Sequence, residues 1–213
     1  PLTKLAMMVL GNISFWQIGI YAFFRYGTFV TLQGLWLGPY LMHVKGFPAI
    51  QAGNILMMLS LGVIVGSPVA GYMSDKVLGS AKATAIIGSA VYTLSLLPLA
   101  GGVEITSSIA HYVLFFVLGF SNSFGLMALS HVKQLFPLQI SGTVISGINF
   151  FNMAGAAILM PLLGKIIETL TVKDGLHTPT LQAYQFAFLL CLVGSAASLI
   201  LYGFSKSKSS SLQ

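Results

Sequence analysis

The chain has 213 residues, 56% of them hydrophobic and 7% charged, with a formal net charge of +6. Ordinary soluble domains carry about 25% charged residues, so this is the composition of an integral membrane protein, with the lipid bilayer as its solvent. The lysines lie at the ends of apolar segments and form no basic run interleaved with polar residues, which excludes a nucleic-acid partner and marks them as topology determinants.

Six apolar segments can be counted, at about 13–42, 49–73, 83–100, 108–130, 141–166 and 182–204. Each is long enough to cross a bilayer as a helix, the third only just. The chain opens Pro1-Leu-Thr-Lys4 with no secretory leader pattern, so no signal peptide is expected and a piece of a longer protein is compatible with it. The first segment carries Arg25, the one arginine of the sequence and the only charge in the middle of any apolar segment. It lies about 16 Å along the helix axis, too deep for its side chain to reach water by snorkelling. A guanidinium at that depth costs about 2.5 kcal/mol or more. It is therefore expected to face a wet cavity or a partner.

Polar stops separate the segments: His43 to Pro48, Ser74 to Lys82, Gly101 to Glu104, His131 to Pro137, and Glu168 to Pro179. A polar tail follows from Ser205, expected to be disordered. One set of ends holds Lys4, Lys76, Lys82, Lys133, Lys206 and Lys208. The other holds Lys45, Lys165 and Lys173 with Glu104, Glu168 and Asp174. This bias puts both termini in the cytoplasm, in a plasma membrane or a bacterial inner membrane. The single Cys191 sits in an apolar helix, so neither a disulfide nor a metal site nor a cofactor is expected.

The second and fifth segments share a spacing. Gly62, Pro68, Gly71 and Asp75 match Gly155, Pro161, Gly164 and Glu168 at one offset of 93 residues. Chance is one reading of it; the other is a repeat of three helices. An odd number of spans reverses direction, so such copies would be inverted in the membrane, a recurring construction of secondary transporters. Gly62, Gly66, Ala70 and Ser74 also offer a small-residue face for close helix packing.

The stretch Gly71-Tyr-Met-Ser-Asp75-Lys76-Val-Leu-Gly79-Ser-Ala-Lys82 resembles the loop signature of the major facilitator superfamily. Gly79 comes one residue late and only Lys82 follows it as a base, which fits the weaker copy between that family's helices eight and nine. The fifth segment, with Pro137, Gly142, Asn149, Gly155, Pro161 and Gly164, is similar to helix eleven; the tract with Gly27, Gly34, Gly38 and Pro39 is similar to helix seven. The resemblance implies an all-α membrane protein. Six transmembrane helices would form two inverted three-helix repeats, 1–100 and 101–204, with 205–213 as a cytoplasmic tail. This would be the C-terminal half (helices 7–12) of a twelve-helix fold. It implies an N-terminal six-helix half as partner, in the same parent chain or as a separate chain; a homodimer of six-helix chains is the alternative. It also makes Gly71, Asp75, Lys76, Gly79 and Lys82 a cytoplasmic gate. Asp75 sits at the unfavourable end of its own helix dipole. It needs Lys76, Lys82 or a helix N-terminus of the other half; the alternative is a solvated turn.

On a helical wheel Gln17, Tyr21, Arg25, Thr28 and Trp36 fall on one stripe about 100° wide. Asn122 of the fourth segment, and Asn149 and Asn152 of the fifth, are buried amides that need each other, a neighbouring helix or a ligand. Together these eight are the candidate substrate-binding residues. The alternative for Arg25 is a structural cap on carbonyls freed where a helix is interrupted. A guanidinium matches carboxylate or phosphate, so the expected solute is a small anion. No carboxylate lies at the midplane, and His111 and His131 lie near helix ends, where interfacial rather than relay roles are expected. Enzymatic signatures such as Gly-x-Ser-x-Gly or His-Glu-x-x-His are absent, so catalysis is not expected. The sequence thus reads as a secondary active transporter, symporter or antiporter, working by alternating access; a solute sensor or assembly subunit on the same scaffold is the alternative.

Overall fold

The computed structural model describes residues 7–173 and 179–207, the side chains of 172 and 173 aside. Lys4, Asp174 and Lys208 lie outside the described residues, as do 208–213 of the tail. The architecture is all helical. In chain order the long helices are α1 (Ile13–Thr31), α2 (Ala49–Tyr72), α3 (Ala81–Ser95), α4 (Ser108–Phe124), α5 (Met127–Gln134), α6 (Ser141–Lys173) and α7 (Leu181–Gly203).

Local chemistry sets their ends. Asn12, Ser80 and Thr180 cap α1, α3 and α7, each side chain accepting a backbone N–H of the first turn. The chain continues past Thr31 as Leu32–Trp36 and Tyr40–Val44, two wide π turns flanking Leu37–Pro39. Past α2 a third π turn, Met73–Val77, runs to Gly79, whose φ of 58° is left-handed backbone that glycine adopts without a Cβ penalty. Helix α3 stops at Ser95, short of the expected 100, because Pro98 disfavours helical backbone at the residue before it. The fourth segment tightens at Gly125 and Leu126, which stay right-handed helical but bond three residues back, and continues as α5.

Among the described residues four helical stretches are long and apolar enough to cross a membrane: Ala49–Val77, Ser108–Gln134, Leu138–Thr171 and Leu181–Gly203. The first segment is diluted by Gln17, Arg25, Gln33 and its tyrosines, and α3 is 15 residues long. The surface supports the same reading. Ile64, Ile109, Phe150 and Ile200 are each more than 60% exposed, whereas Ser14, Thr28, Thr84, Ser121 and Ser198 are buried. Apolar groups outside and small polar groups inside suit a hydrocarbon solvent.

Two helix pairs pack most closely, α2 with α4 and α1 with α6. At the first crossing a Cβ on Gly62 would lie 2.6 Å from the backbone nitrogen of Phe120, and one on Gly119 would meet the backbone of Leu59. At the second, a Cβ on Gly27 would lie 2.6 Å from the backbone carbon of Gly155. Only glycine permits backbones to approach this far. The buried apolar residues form two clusters. One includes Phe29, Leu37, Leu59, Phe115 and Phe188; the other includes Phe15, Ile18, Tyr21, Val132 and Tyr202.

Candidate functional site

Tyr21, Arg25 and Phe29 succeed one another at four-residue steps on one face of α1. Tyr21 belongs to one apolar cluster and Phe29 to the other. Arg25 therefore lies at the seam between them, 5% exposed. Its Nη1 donates to the backbone carbonyl of Asn122 at 3.3 Å and to that residue's Oδ1 at 3.2 Å. Asn122 lies in the last turn of α4, and its carbonyl also accepts from the Gly125 N–H at 3.1 Å. The guanidinium thus sits at the tightened turn where α4 passes into α5.

Gly125 makes the approach possible. A Cβ there would lie 2.8 Å from the Tyr21 hydroxyl and 3.0 Å from Arg25 Nε. The Tyr21 hydroxyl shares a hydrogen bond with Ser89 Oγ of α3, and its ring stacks on Tyr202 of α7 with centroids 4.4 Å apart. Arg25 keeps unused donor capacity: Nε is buried without a partner among the described residues. A buried guanidinium hydrogen of this kind costs free energy until an acceptor meets it.

The stripe expected along α1 does not stay together. Tyr21, Arg25 and Asn122 form one cluster. Thr28 is fully buried and faces Cys191 of α7. Trp36 lies against α6, where a Cβ on Gly164 would come 3.0 Å from its ring. The π turn at Leu32–Trp36 advances the backbone by more than 3.6 residues per turn, so a wheel drawn at 100° misplaces Trp36. Gln17 is half-buried, with its Oε1 unpartnered among the described residues.

A second polar group lies on α6. Asn152 is buried and donates from Nδ2 to Asn149 Oδ1 at 3.3 Å, while Thr143, Ser146 and Asn149 are exposed. Asn149 sits about 16 Å into the Leu138–Thr171 stretch. Near the α1–α2 junction Gln33 Nε2 donates to Ser60 Oγ at 3.2 Å, also on the exposed side. Amides and hydroxyls at that depth are costly against lipid, so these faces require water or another polypeptide. Reading the sequence missed Ser89, Gln33 and Ser60; a polar residue inside an otherwise apolar run was the available signal.

In the loop motif Asp75, Lys76 and Gly79 are exposed and Gly71 is half-buried. Lys82 does not turn to Asp75. Its Nζ donates to the backbone carbonyls of Gly203, at 2.9 Å, and Ser205. His111 and His131, expected near the interface from their places at helix ends, are buried, 2% and 1% exposed. His111 Nδ1 lies 2.9 Å from the carbonyl of Ser107, the N-cap of its own helix, whereas His131 Nε2 reaches the Lys206 carbonyl beyond α7.

Residues 15–212 match the profile of the Major Facilitator Superfamily, and the chain belongs to that family. No curated protein sequence matches it. Among solved structures it is similar to the crystal structure of a D-xylose-proton symporter, with a TM-score of 0.58 and 14% identity. That alignment covers 98% of this chain and 49% of the symporter, so the chain spans about half the length of the structure it resembles.

Proposed function

We propose that this member of the Major Facilitator Superfamily is the C-terminal half of a secondary transporter that moves a small anion by alternating access. One observation carries the anion reading. Arg25 is a buried guanidinium that, among the described residues, faces no carboxylate at its hydrogen-bonding atoms, is held by a neutral asparagine, and retains an unpartnered Nε. Carboxylate and phosphate are the acceptors whose geometry matches such a fork. Tyr21 and Asn122 orient the guanidinium. Asn149 and Asn152 supply neutral contacts from α6, and Gln17, Thr28 and Trp36 border the region.

The partner is an N-terminal six-helix half, and the polar exposed faces of α6 and of the α1–α2 junction are the surfaces turned toward it. The chain itself is six spans in two inverted repeats, 1–100 and 101–204. The matched glycines support this. Gly62 lies where α2 crosses α4, and Gly155 lies where α6 crosses α1. These are symmetry-related crossings if α1–α3 and α4–α7 are copies. Orientation follows from the lysines: Lys82 and Lys206 meet at one end of the bundle, and Lys45 donates to the Ile105 carbonyl at 3.4 Å at the other. The first end is cytoplasmic. There the exposed Asp75 and Lys76 form the part of the gate that meets the other half.

The test is uptake of radiolabelled phosphate and small carboxylates into proteoliposomes holding the complete transporter. Wild type and Arg25→Gln are compared at equal incorporation. Uptake of one of these anions by wild type, reduced about tenfold or more in the variant, is the expected result. Equal uptake removes Arg25 from the site.

A further inference from the structure

The cytoplasmic end of α7 is fastened by groups from three other elements. The chain after Gly203 leaves carbonyls that no helix turn satisfies. Lys82 of α3 donates to two of them, those of Gly203 and Ser205. His131 of α5 engages a third, with Nε2 at 2.9 Å from the Lys206 carbonyl. Ser14 of α1 accepts the Lys206 backbone N–H at 3.0 Å. Lys82 is a lasting cation. His131 is the one fastening group whose charge changes near neutral pH.

A carbonyl only accepts, so Nε2 carries a hydrogen. The Tyr202 hydroxyl lies 3.0 Å from Nδ1 and donates to it when the imidazole is neutral. Both nitrogens are in use. Tyr202 is fully buried and stacked on Tyr21, so the partner at Nδ1 is part of the core rather than of a mobile surface.

Protonation would put a second cation at the chain end that the Lys82 ammonium already serves, since both side chains bond carbonyls of Gly203, Ser205 and Lys206. Among the described residues no acid is bonded to it. Among the described residues α3 brings Lys82, α7 brings Tyr202 and Lys206, α1 brings Tyr21, and α5 itself adds only the exposed Lys133. Helix α6 has no ionisable residue between Ser141 and Lys165. A buried charge without a counter-charge disfavours the closed arrangement.

We propose that His131 is a proton-binding site that latches the cytoplasmic end of α7 to α1, α3 and α5 when neutral and releases it when protonated. The proposal does not rest on the transport reading.

Hydrogen exchange of the Lys206 amide tests it, on protein in lipid nanodiscs, with rates corrected for the intrinsic effect of pH. Between about pH 8 and about pH 5 the protection of wild type is expected to fall about tenfold. His131→Gln keeps a donor and an acceptor but cannot titrate, and its protection is expected to stay level across the range. His131→Ala is expected to be unprotected at both values, with protection of α2 showing that it has folded. Equal protection of wild type at both pH values overturns the proposal, as does wild-type protection in His131→Ala. Should His131→Ala fail to fold, wild type beside His131→Gln still decides: parallel falls in the two would exclude His131 as the sensor.

Discussion

Arg25 and Asn122 lie 97 residues apart in sequence and meet through two hydrogen bonds, at 3.3 and 3.2 Å, at the point where the fourth transmembrane segment tightens. The Asn122 carbonyl there accepts from the Gly125 N–H and from the arginine as well, and both residues lie deep in the bundle. A charged group that would be expensive in lipid is thereby given a defined place and a remaining appetite for an acceptor.

Asn122→Ala is expected to destabilise the protein by about 1.5–3 kcal/mol, the range for hydrogen bonds to a charged group. It removes Oδ1 but leaves the backbone carbonyl. Thermal unfolding of purified protein measures it. An unchanged midpoint would mean that the asparagine side chain does not hold the guanidinium.

Gly125→Ala is expected to displace Arg25 without touching any charge. The added methyl would sit 2.8 Å from the Tyr21 hydroxyl and 3.0 Å from Arg25 Nε. Overpacking of this kind costs about 1–3 kcal/mol. Anion binding should fall in parallel, and Gly53→Ala, where nothing lies within 4 Å, serves as control. Equal behaviour of the two variants would show that the close approach is unimportant.

Gly27→Val is expected to separate α1 from α6, because the new side chain meets the backbone of Gly155 rather than a movable side chain. A lowered unfolding temperature and loss of a monodisperse peak in gel filtration are the predicted readouts. A variant as stable as wild type would contradict the close crossing.

The exposed stripe on α6 predicts water access. In a Cys191→Ser background, Asn149→Cys should react with a membrane-impermeant maleimide, whereas Ile200→Cys, 64% exposed on α7, should face lipid and not react. Equal labelling of the two would remove the distinction between a wet face and a lipid face.

How far the sequence alone reaches depends on whether a feature is local. The depth of Arg25 follows from counting residues along one apolar run. The loop motif was visible for the same reason. Asn122 as the arginine's partner was not legible, because it depends on how α1 and α4 lie against each other. The wall of five residues on α1 dissolved because the helix is enclosed on several sides: Thr28 meets α7, Trp36 meets α6 and only Tyr21 stays with Arg25. His131 was read from its distance to a helix end, whereas its burial is set by the chain after α7 folding back over it.

The most direct measurement is a thermal-shift titration of purified protein with inorganic phosphate and small mono- and dicarboxylates, wild type beside Arg25→Gln. Stabilisation by bound ligand grows with its concentration over Kd, about 2.7 kcal/mol at a hundredfold excess. At least one of these anions should raise the unfolding temperature of wild type in a saturable way and leave Arg25→Gln unmoved. If none shifts wild type, or if the shift survives in Arg25→Gln, the buried guanidinium is not an anion site.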